Sequence, residues 1–304
     1  MDVLRIENLS KSFGGAPVIK DISLNVPEGS VFGFIGANGA GKTTTMKMAL
    51  GLLKADKGDI FVCGEKLRFG MTATNRHTGY LPDVPEFYHY MRPKEYLKLC
   101  GEIVGLSAYE IKNRSAELLE LVGLSNVNKK IGGFSRGMKQ RLGVAQALMN
   151  EPKLLICDEP TSALDPIGRK EILDILRQIS GKTTVIFSTH ILSDVERICD
   201  RAAVIHHGKI VLEGTLAELK TRHQTDKLFI EFASAADKLR FCEKAPEEWL
   251  QKQEDSPTEL TLNMTNVAEA LRTSLKILSQ NDILPLRLEQ LEPSIENLYL
   301  EAVQ

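Results

Sequence analysis

The stretch Gly36-Ala37-Asn38-Gly39-Ala40-Gly41-Lys42-Thr43 carries the plainest chemistry in the chain, in the pattern G-x-x-x-x-G-K-T. An apolar run, Val31-Phe32-Gly33-Phe34-Ile35, precedes it and reads as a buried strand, and a helix is expected from Thr44 to Leu53. Strand, glycine loop and helix in that order suit a phosphate-binding loop. Gly36, Gly39 and Gly41, with Asn38 between them, let the backbone wrap so that its N–H groups converge on an anion. The helix N-terminus at Thr44 adds unpaired N–H groups and its dipole. Lys42 brings a mobile positive charge to the outer phosphates, and the Thr43 hydroxyl can take a Mg²⁺ coordination position. The chain is therefore expected to bind a nucleoside triphosphate.

A second signature is Leu154-Leu155-Ile156-Cys157-Asp158-Glu159, four apolar residues and then two adjacent carboxylates at a strand end. Asp158 is suited to hold Mg²⁺ through water, and Glu159 to polarise an attacking water as general base. Between the two signatures, Phe134-Ser135-Arg136-Gly137-Met138-Lys139-Gln140-Arg141 puts a serine and a glycine at a helix start, a further anion-binding arrangement by the same physics. His206-His207 are read as hairpin residues that cannot chelate one metal, because adjacent strand residues point to opposite faces. Lys129-Lys130 and Lys139-x-Arg141 are read as solvated charge clusters.

The elements that must hold these groups follow from periodicity and turn residues. Residues 3–9 and 18–26 alternate as strands, with a turn-rich link over 10–17, and are expected to lie antiparallel beside the central strand. From about residue 84 to 150 the pattern turns helical: a helix with Pro93 at its start, a second opened by the capping box Ser107-x-x-Glu110, and a third from Arg136 to Met149. Apolar strands alternating with helices then resume, with Asp165 capping one helix and Ser193-x-x-Glu196 boxing another, which argues a largely parallel sheet covered on both faces. Beyond about residue 220, strand, helix, strand, helix, strand and a short helix are expected, a small α+β domain. The 304 residues allow two such domains, 1–220 and 221–304.

Composition narrows the classes further. A 43% apolar and 26% charged chain of net charge −2 has no basic field for nucleic acid. Five scattered cysteines without a C-x-x-C pair are expected to be reduced thiols of a cytosolic protein. The start of the sequence lacks a secretory pattern, and no run approaches the roughly 20 apolar residues of a membrane span. Any membrane role is expected to come through a partner.

The order of phosphate loop, Ser-x-Gly helix start, Asp-Glu strand end, Ser162-Ala163-Leu164-Asp165 and Ser188-Thr189-His190 resembles the ATP-binding cassette of ABC transporters, over about residues 1–220. The resemblance implies an α/β fold with a P-loop NTPase core, an antiparallel β subdomain and a helical insert. It implies ATP with Mg²⁺ as cofactors and ATP hydrolysis as the activity. Phe13 would stack on the adenine. Ser135 and Gly137 would touch the γ-phosphate of ATP held by a partner chain's Lys42 loop, giving a homodimer with ATP sandwiched between copies. His190 would bridge γ-phosphate and attacking water, and Asp165 would communicate across the dimer. Two departures stand out: Phe134, Arg136 and Met138 replace three of the five residues of the usual Leu-Ser-Gly-Gly-Gln, and Asp83 stands where most cassettes carry Gln. Asp83 is expected to keep a metal-side role. The resemblance further implies a subunit lying on the inner face of the cell membrane, powering a separate integral-membrane permease that docks near residues 83–106. Tyr80-Leu81-Pro82 plus an acid, Ser-Arg-Gly-Met-Lys-Gln-Arg, and a tail running from Glu292 to Leu300 are similar to bacterial exporters of the drug- and bacitracin-resistance kind. The alternative is a soluble cassette ATPase without a permease, acting on ribosomes or nucleic acid; a third reading makes the C-terminal domain a sensing or dimerising module.

Overall fold

The computed structural model describes residues 2–70, 73–222, 227–250, 256–264, 266–291 and 295–303. The chain divides into two compact units, Met1–Leu216 with Tyr299–Gln304, and Ala217–Leu298.

In the first unit, β1 (Asp2–Phe13) and β2 (Ala16–Pro27) form a long antiparallel hairpin. The link expected over 10–17 shrinks to a two-residue turn. Gly14 and Gly15 both take positive φ, 55° and 83°, the backbone a tight hairpin turn needs, so alternation runs on to Phe13. β3 (Val31–Ile35) is buried throughout. It leads through the glycine loop into α1 (Lys42–Ala49), which starts two residues earlier and ends four residues sooner than expected; Leu50 caps it and Gly51 turns away at φ 70°. β4 (Lys57–Val62) and β5 (Glu65–Lys66) complete a four-stranded sheet of order β2-β1-β4-β5. That sheet is separate from the one containing β3, which corrects the expected placement beside the central strand. Leu4, Ile6, Leu9, Ile22, Leu24 and Val26 point from it into a core shared with Met46, Met48 and Phe34.

β6 (Thr78–Leu81) was not legible as a strand, being four residues long with a glycine inside. That glycine is required: a Cβ on Gly79 would lie 2.2 Å from the Ala147 carbonyl oxygen. The helical insert holds α2 (Pro93–Ile103), α3 (Ala108–Leu121) and α4 (Arg136–Ala147). The Ser107–Glu110 box forms as expected, with Glu110 accepting the Ser107 N–H at 2.8 Å. β7 (Leu154–Asp158), α5 (Pro166–Ile179) and β8 (Thr184–Thr189) follow, with Asp165 capping α5 through the Gly168 N–H at 3.3 Å. α6 (Leu192–Ile198) departs from expectation: Ile191 is its N-cap, no side chain caps it, and the Ser193 hydroxyl instead accepts from Arg169 at 2.7 Å. β9 (Arg201–His206) and β10 (Lys209–Thr215) turn at His207-Gly208, and α7 (Leu216–Arg222) follows. The second sheet has order β10-β9-β3-β8-β7-β6, parallel except for β10. Its interior strands are apolar on both faces, as a sheet covered by helices requires.

The second unit is built on β11 (Lys227–Phe232), α8 (Ala235–Cys242), β12 (Glu259–Asn263), α9 (Val267–Gln280) and β13 (Pro285–Leu291); the last helix, α10 (Ile295–Val303), starts in this unit, and its residues from Tyr299 onward are counted with the first. The three strands are antiparallel in order β12-β11-β13. Leu228, Ile230, Phe232, Phe241, Leu260, Leu262 and Ile277 make its own core. Of the exporter-like tail, residues 292–294 lie outside the described residues.

Candidate functional site

Strand register gathers the site. Ile35 at the end of β3 sits beside Thr189 of β8, and Asp158 at the end of β7 sits beside Ser188. The segments that follow these strand ends are the glycine loop, Glu159 and His190. They open at the carboxyl edge of a parallel sheet, where α/β folds bind ligands.

Glycine is needed in the loop on steric grounds. A Cβ on Gly36 would lie 2.6 Å from the Ile205 carbonyl oxygen, and Gly41, at φ 113°, has Ile19 Cδ1 at 2.4 Å from the same position. Gly41 is also the N-cap of α1 and offers no side-chain acceptor, so the first-turn N–H groups of Lys42, Thr43 and Thr44 have no capping oxygen. Asn38, Gly39 and Thr43 are exposed on this loop and helix start, and Thr44 is half-buried. Lys42 is buried, and its Nζ donates to the carbonyls of Gly36 (2.7 Å) and Ala37 (3.3 Å) and pairs with Glu159 Oε1 at 3.1 Å.

Glu159 occupies a left-handed backbone position, φ 48°, unusual for a residue with a side chain and frequent at functional sites. Its N–H is held by both the hydroxyl (3.0 Å) and the carbonyl (3.2 Å) of Ser188. The same Ser188 hydroxyl donates to Asp158 Oδ1 at 2.6 Å. One serine thus fixes both carboxylate residues, with Asp158 buried and Glu159 turned toward Lys42 and His190. His190 Nδ1 lies 3.0 Å from Glu159 Oε2, on an exposed ring.

Asp83, in the loop after β6, pairs with Arg136 at 3.3 Å. Burial pushes its carboxyl above the ordinary aspartate range; Arg136 opposes the shift, and Asp158 and Glu159 add to it. Asp83 therefore stands in the same negative field as the two strand-end acids. Ser135 is the N-cap of α4 and its hydroxyl accepts the Met138 N–H at 3.3 Å; open space lies where a Gly137 side chain would be. Among the described residues no hydrogen bond or ion pair joins Ser135 or Gly137 to the loop at 36–43. Phe13 is exposed at the tip of the β1–β2 hairpin, with the Lys11 ammonium 5.4 Å from its ring centroid.

Two expectations are corrected. His207 lies in the turn at φ 46°, not on the strand, and its ring centroid is 4.1 Å from that of His206, so the opposite-faces argument fails; among the described residues no group of three metal-ligating side chains forms. Arg141 is not a free surface charge but pairs with Glu171 at 3.1 Å. One network escaped the sequence reading. Asp194, almost fully buried, accepts from Thr161 (2.7 Å) and Arg169 (2.5 Å), tying the segment between Glu159 and Asp165 to the helix after His190. An acid inside the apolar face of a short helix was its only signal. All five cysteines are free; Cys157 and Cys199 are buried, and Cys63, Cys100 and Cys242 half-buried. No helix among the described residues is long and apolar enough to cross a membrane.

Comparison with known proteins gives consistent matches. A family model described as "ABC transporter" matches residues 19–162. The chain is 39% identical to the uncharacterized ABC transporter ATP-binding protein YxlF of Bacillus subtilis, over 99% of both chains. It is 40% identical to the bacitracin transport ATP-binding protein BcrA of Bacillus licheniformis, over 73% of this chain and 72% of that one. A solved ATP-binding subunit of an ABC transporter superposes with a TM-score of 0.66 at 33% identity, covering 72% of this chain and 92% of the other.

Proposed function

This chain belongs to the ABC transporter ATP-binding proteins, and from that premise we propose that two copies close around two ATP molecules to drive an exporter. The coarse activity follows from membership: the protein binds and hydrolyses ATP and powers a membrane permease. The residue roles, the dimer and the direction of transport are the proposal. The observation that carries it is that Glu159, at the carboxyl edge of the parallel strands, meets Lys42 through one carboxylate oxygen at 3.1 Å and His190 through the other at 3.0 Å.

Incoming phosphates are held by the backbone N–H groups of the glycine loop and of Thr43 and Thr44, with Phe13 against the adenine. Lys42 then leaves Glu159 for the β- and γ-phosphates. That exchange frees Glu159 to accept a proton from the attacking water, whose oxygen bonds the γ-phosphorus as the bond to ADP breaks, giving ADP and phosphate. His190 holds Glu159 and the γ-phosphate in line. Ser135 and Gly137 of the second copy complete the γ-phosphate contacts, and Asp165 passes the closure across the interface.

The donors suit Mg²⁺. The Thr43 hydroxyl and the Asp158 carboxylate are hard oxygens, and Asp83 lies in the field of Asp158. This ion is bound by one or two carboxylates together with substrate phosphates, so no all-protein cage is required. A Mg²⁺ ion held there by Thr43 and Asp158 would neutralise charge on the phosphates. The subunit acts at the inner face of the cell membrane through its permease, and kinship with a bacitracin transport protein favours export. The reading without a permease finds no support among the relatives.

The test is affinity purification of the tagged full chain from detergent-solubilised membranes of cells expressing it with its neighbouring reading frames. An integral-membrane protein should co-purify and the complex should hydrolyse ATP. Recovery with ribosomes and no membrane protein would overturn the proposal.

A further inference from the structure

The two departures from the family pattern meet each other: Arg136 Nη2 lies 3.3 Å from Asp83 Oδ1. Arg136 is the first residue of α4, directly after the N-cap Ser135 and directly before Gly137. A cation there is the wrong sign for a helix N-terminus, and the first turn of α4 has no acidic residue to offset it. The helix dipole does not favour this arginine, whose guanidinium is instead free to meet an anion outside the helix. Asp83 is one such anion. The pair is only a partial match, however: both side chains are 44% exposed, and ion pairs of that kind are weak and easily exchanged. A guanidinium prefers a phosphate, which presents more charge and bidentate geometry. On the other side, the loop bearing Asp83 feels Asp158 and Glu159, so without Arg136 its carboxylate faces two like charges and seeks a cation.

We propose that Arg136 is an exchangeable phosphate contact, paired with Asp83 in its own chain when nucleotide is absent and with the γ-phosphate of the other copy's ATP in the closed dimer. ATP bound by one chain thereby releases Asp83 of the other into that chain's own site, which couples the two sites. This also accounts for both departures in one sequence: Asp83 gives the arginine a charged resting partner, where an amide at position 83 would offer only a neutral acceptor. The inference rests on the dimer of the proposed function.

The experiment uses the full chain with Glu159→Gln to suppress turnover, and follows mass by sedimentation velocity as ATP is titrated. Four further chains in that background carry Arg136→Gln, Arg136→Lys, Asp83→Asn, or Arg136→Gln together with Asp83→Asn. Arg136→Gln should raise the ATP concentration for half-maximal dimer about tenfold, the size of one lost charge-assisted bond. Asp83→Asn should lower it severalfold by freeing Arg136, and should lose that effect when Arg136→Gln is present. Arg136→Lys, which keeps the charge but not the fork, should fall between Gln and Arg. ADP should produce no dimer in any of them. Additive effects of the two substitutions, or an Arg136→Gln chain that dimerises like its parent, would overturn the inference. A parent chain that stays monomeric in ATP would instead sink the dimer itself, so the two failures are distinguishable.

Discussion

Lys42 Nζ and Glu159 Oε1 pair at 3.1 Å; on the roles proposed above, that pair engages both the phosphate cation and the base until ATP separates them. Glu159→Gln removes the charge that holds Lys42. We expect ATP affinity, read by nucleotide fluorescence, to rise severalfold while turnover falls by about two orders of magnitude or more; an unchanged turnover would remove Glu159 as base. His190→Ala leaves the phosphate cradle intact and should lower kcat about a hundredfold with little change in ATP affinity. Asp83 gives a pH signature. Burial, opposed by Arg136, raises its carboxyl in the folded chain, so the fold favours the neutral form. Stability should therefore decline as pH rises from the ordinary aspartate value upward, and Asp83→Asn should flatten that slope in urea melts across the same range. A slope unchanged by the substitution would place the titrating group elsewhere. At this scale the groups legible in sequence were those whose chemistry is packed into a few consecutive residues: the glycines with Lys42-Thr43, and Asp158-Glu159. Ser188 as the clamp on both acids was not legible, because it acts on residues 29 and 30 positions away.

Elements were legible where local rules and tertiary packing agreed. β3 and β7 read as buried strands because every residue is apolar or at the strand end, and α5 because Asp165 and Pro166 mark its start. They were misread where a short motif offered two uses. Ser193-x-x-Glu196 looks like a capping box, but Ser193 serves Arg169 instead, next to the buried Asp194. β6 carries too little pattern to show, and exists because Gly79 lets the strand lie against the end of α4. The Asp194 network is the element-scale brace of the site, holding Thr161 and Arg169 together with α6. Asp194→Ala leaves the Arg169 charge facing a buried gap and should destabilise the first unit by about 3–5 kcal/mol in urea denaturation. A loss under about 1 kcal/mol would show that the pair is a surface ion pair in energetic terms.

For the whole molecule, the fold class was readable because the rhythm of apolar strands and helices changes twice, at the helical insert and again before β11. Among the described residues no hydrogen bond or ion pair joins Ser135 to the Lys42 loop of the same chain, and the proposed function turns on another copy supplying that contact. Mixing two defective chains tests this most directly. Lys42→Ala lacks its own phosphate cation, and Ser135→Arg blocks the γ-phosphate contact it would lend to a partner. Each alone should hydrolyse ATP at a small fraction of the wild-type rate. Mixed in equal amounts, half the dimers pair one of each and hold one intact site of two, so activity should recover to roughly a quarter of wild type. Recovery on mixing is the expected result; a mixture no more active than its parts, or a Ser135→Arg chain with full activity by itself, would contradict a site shared between copies.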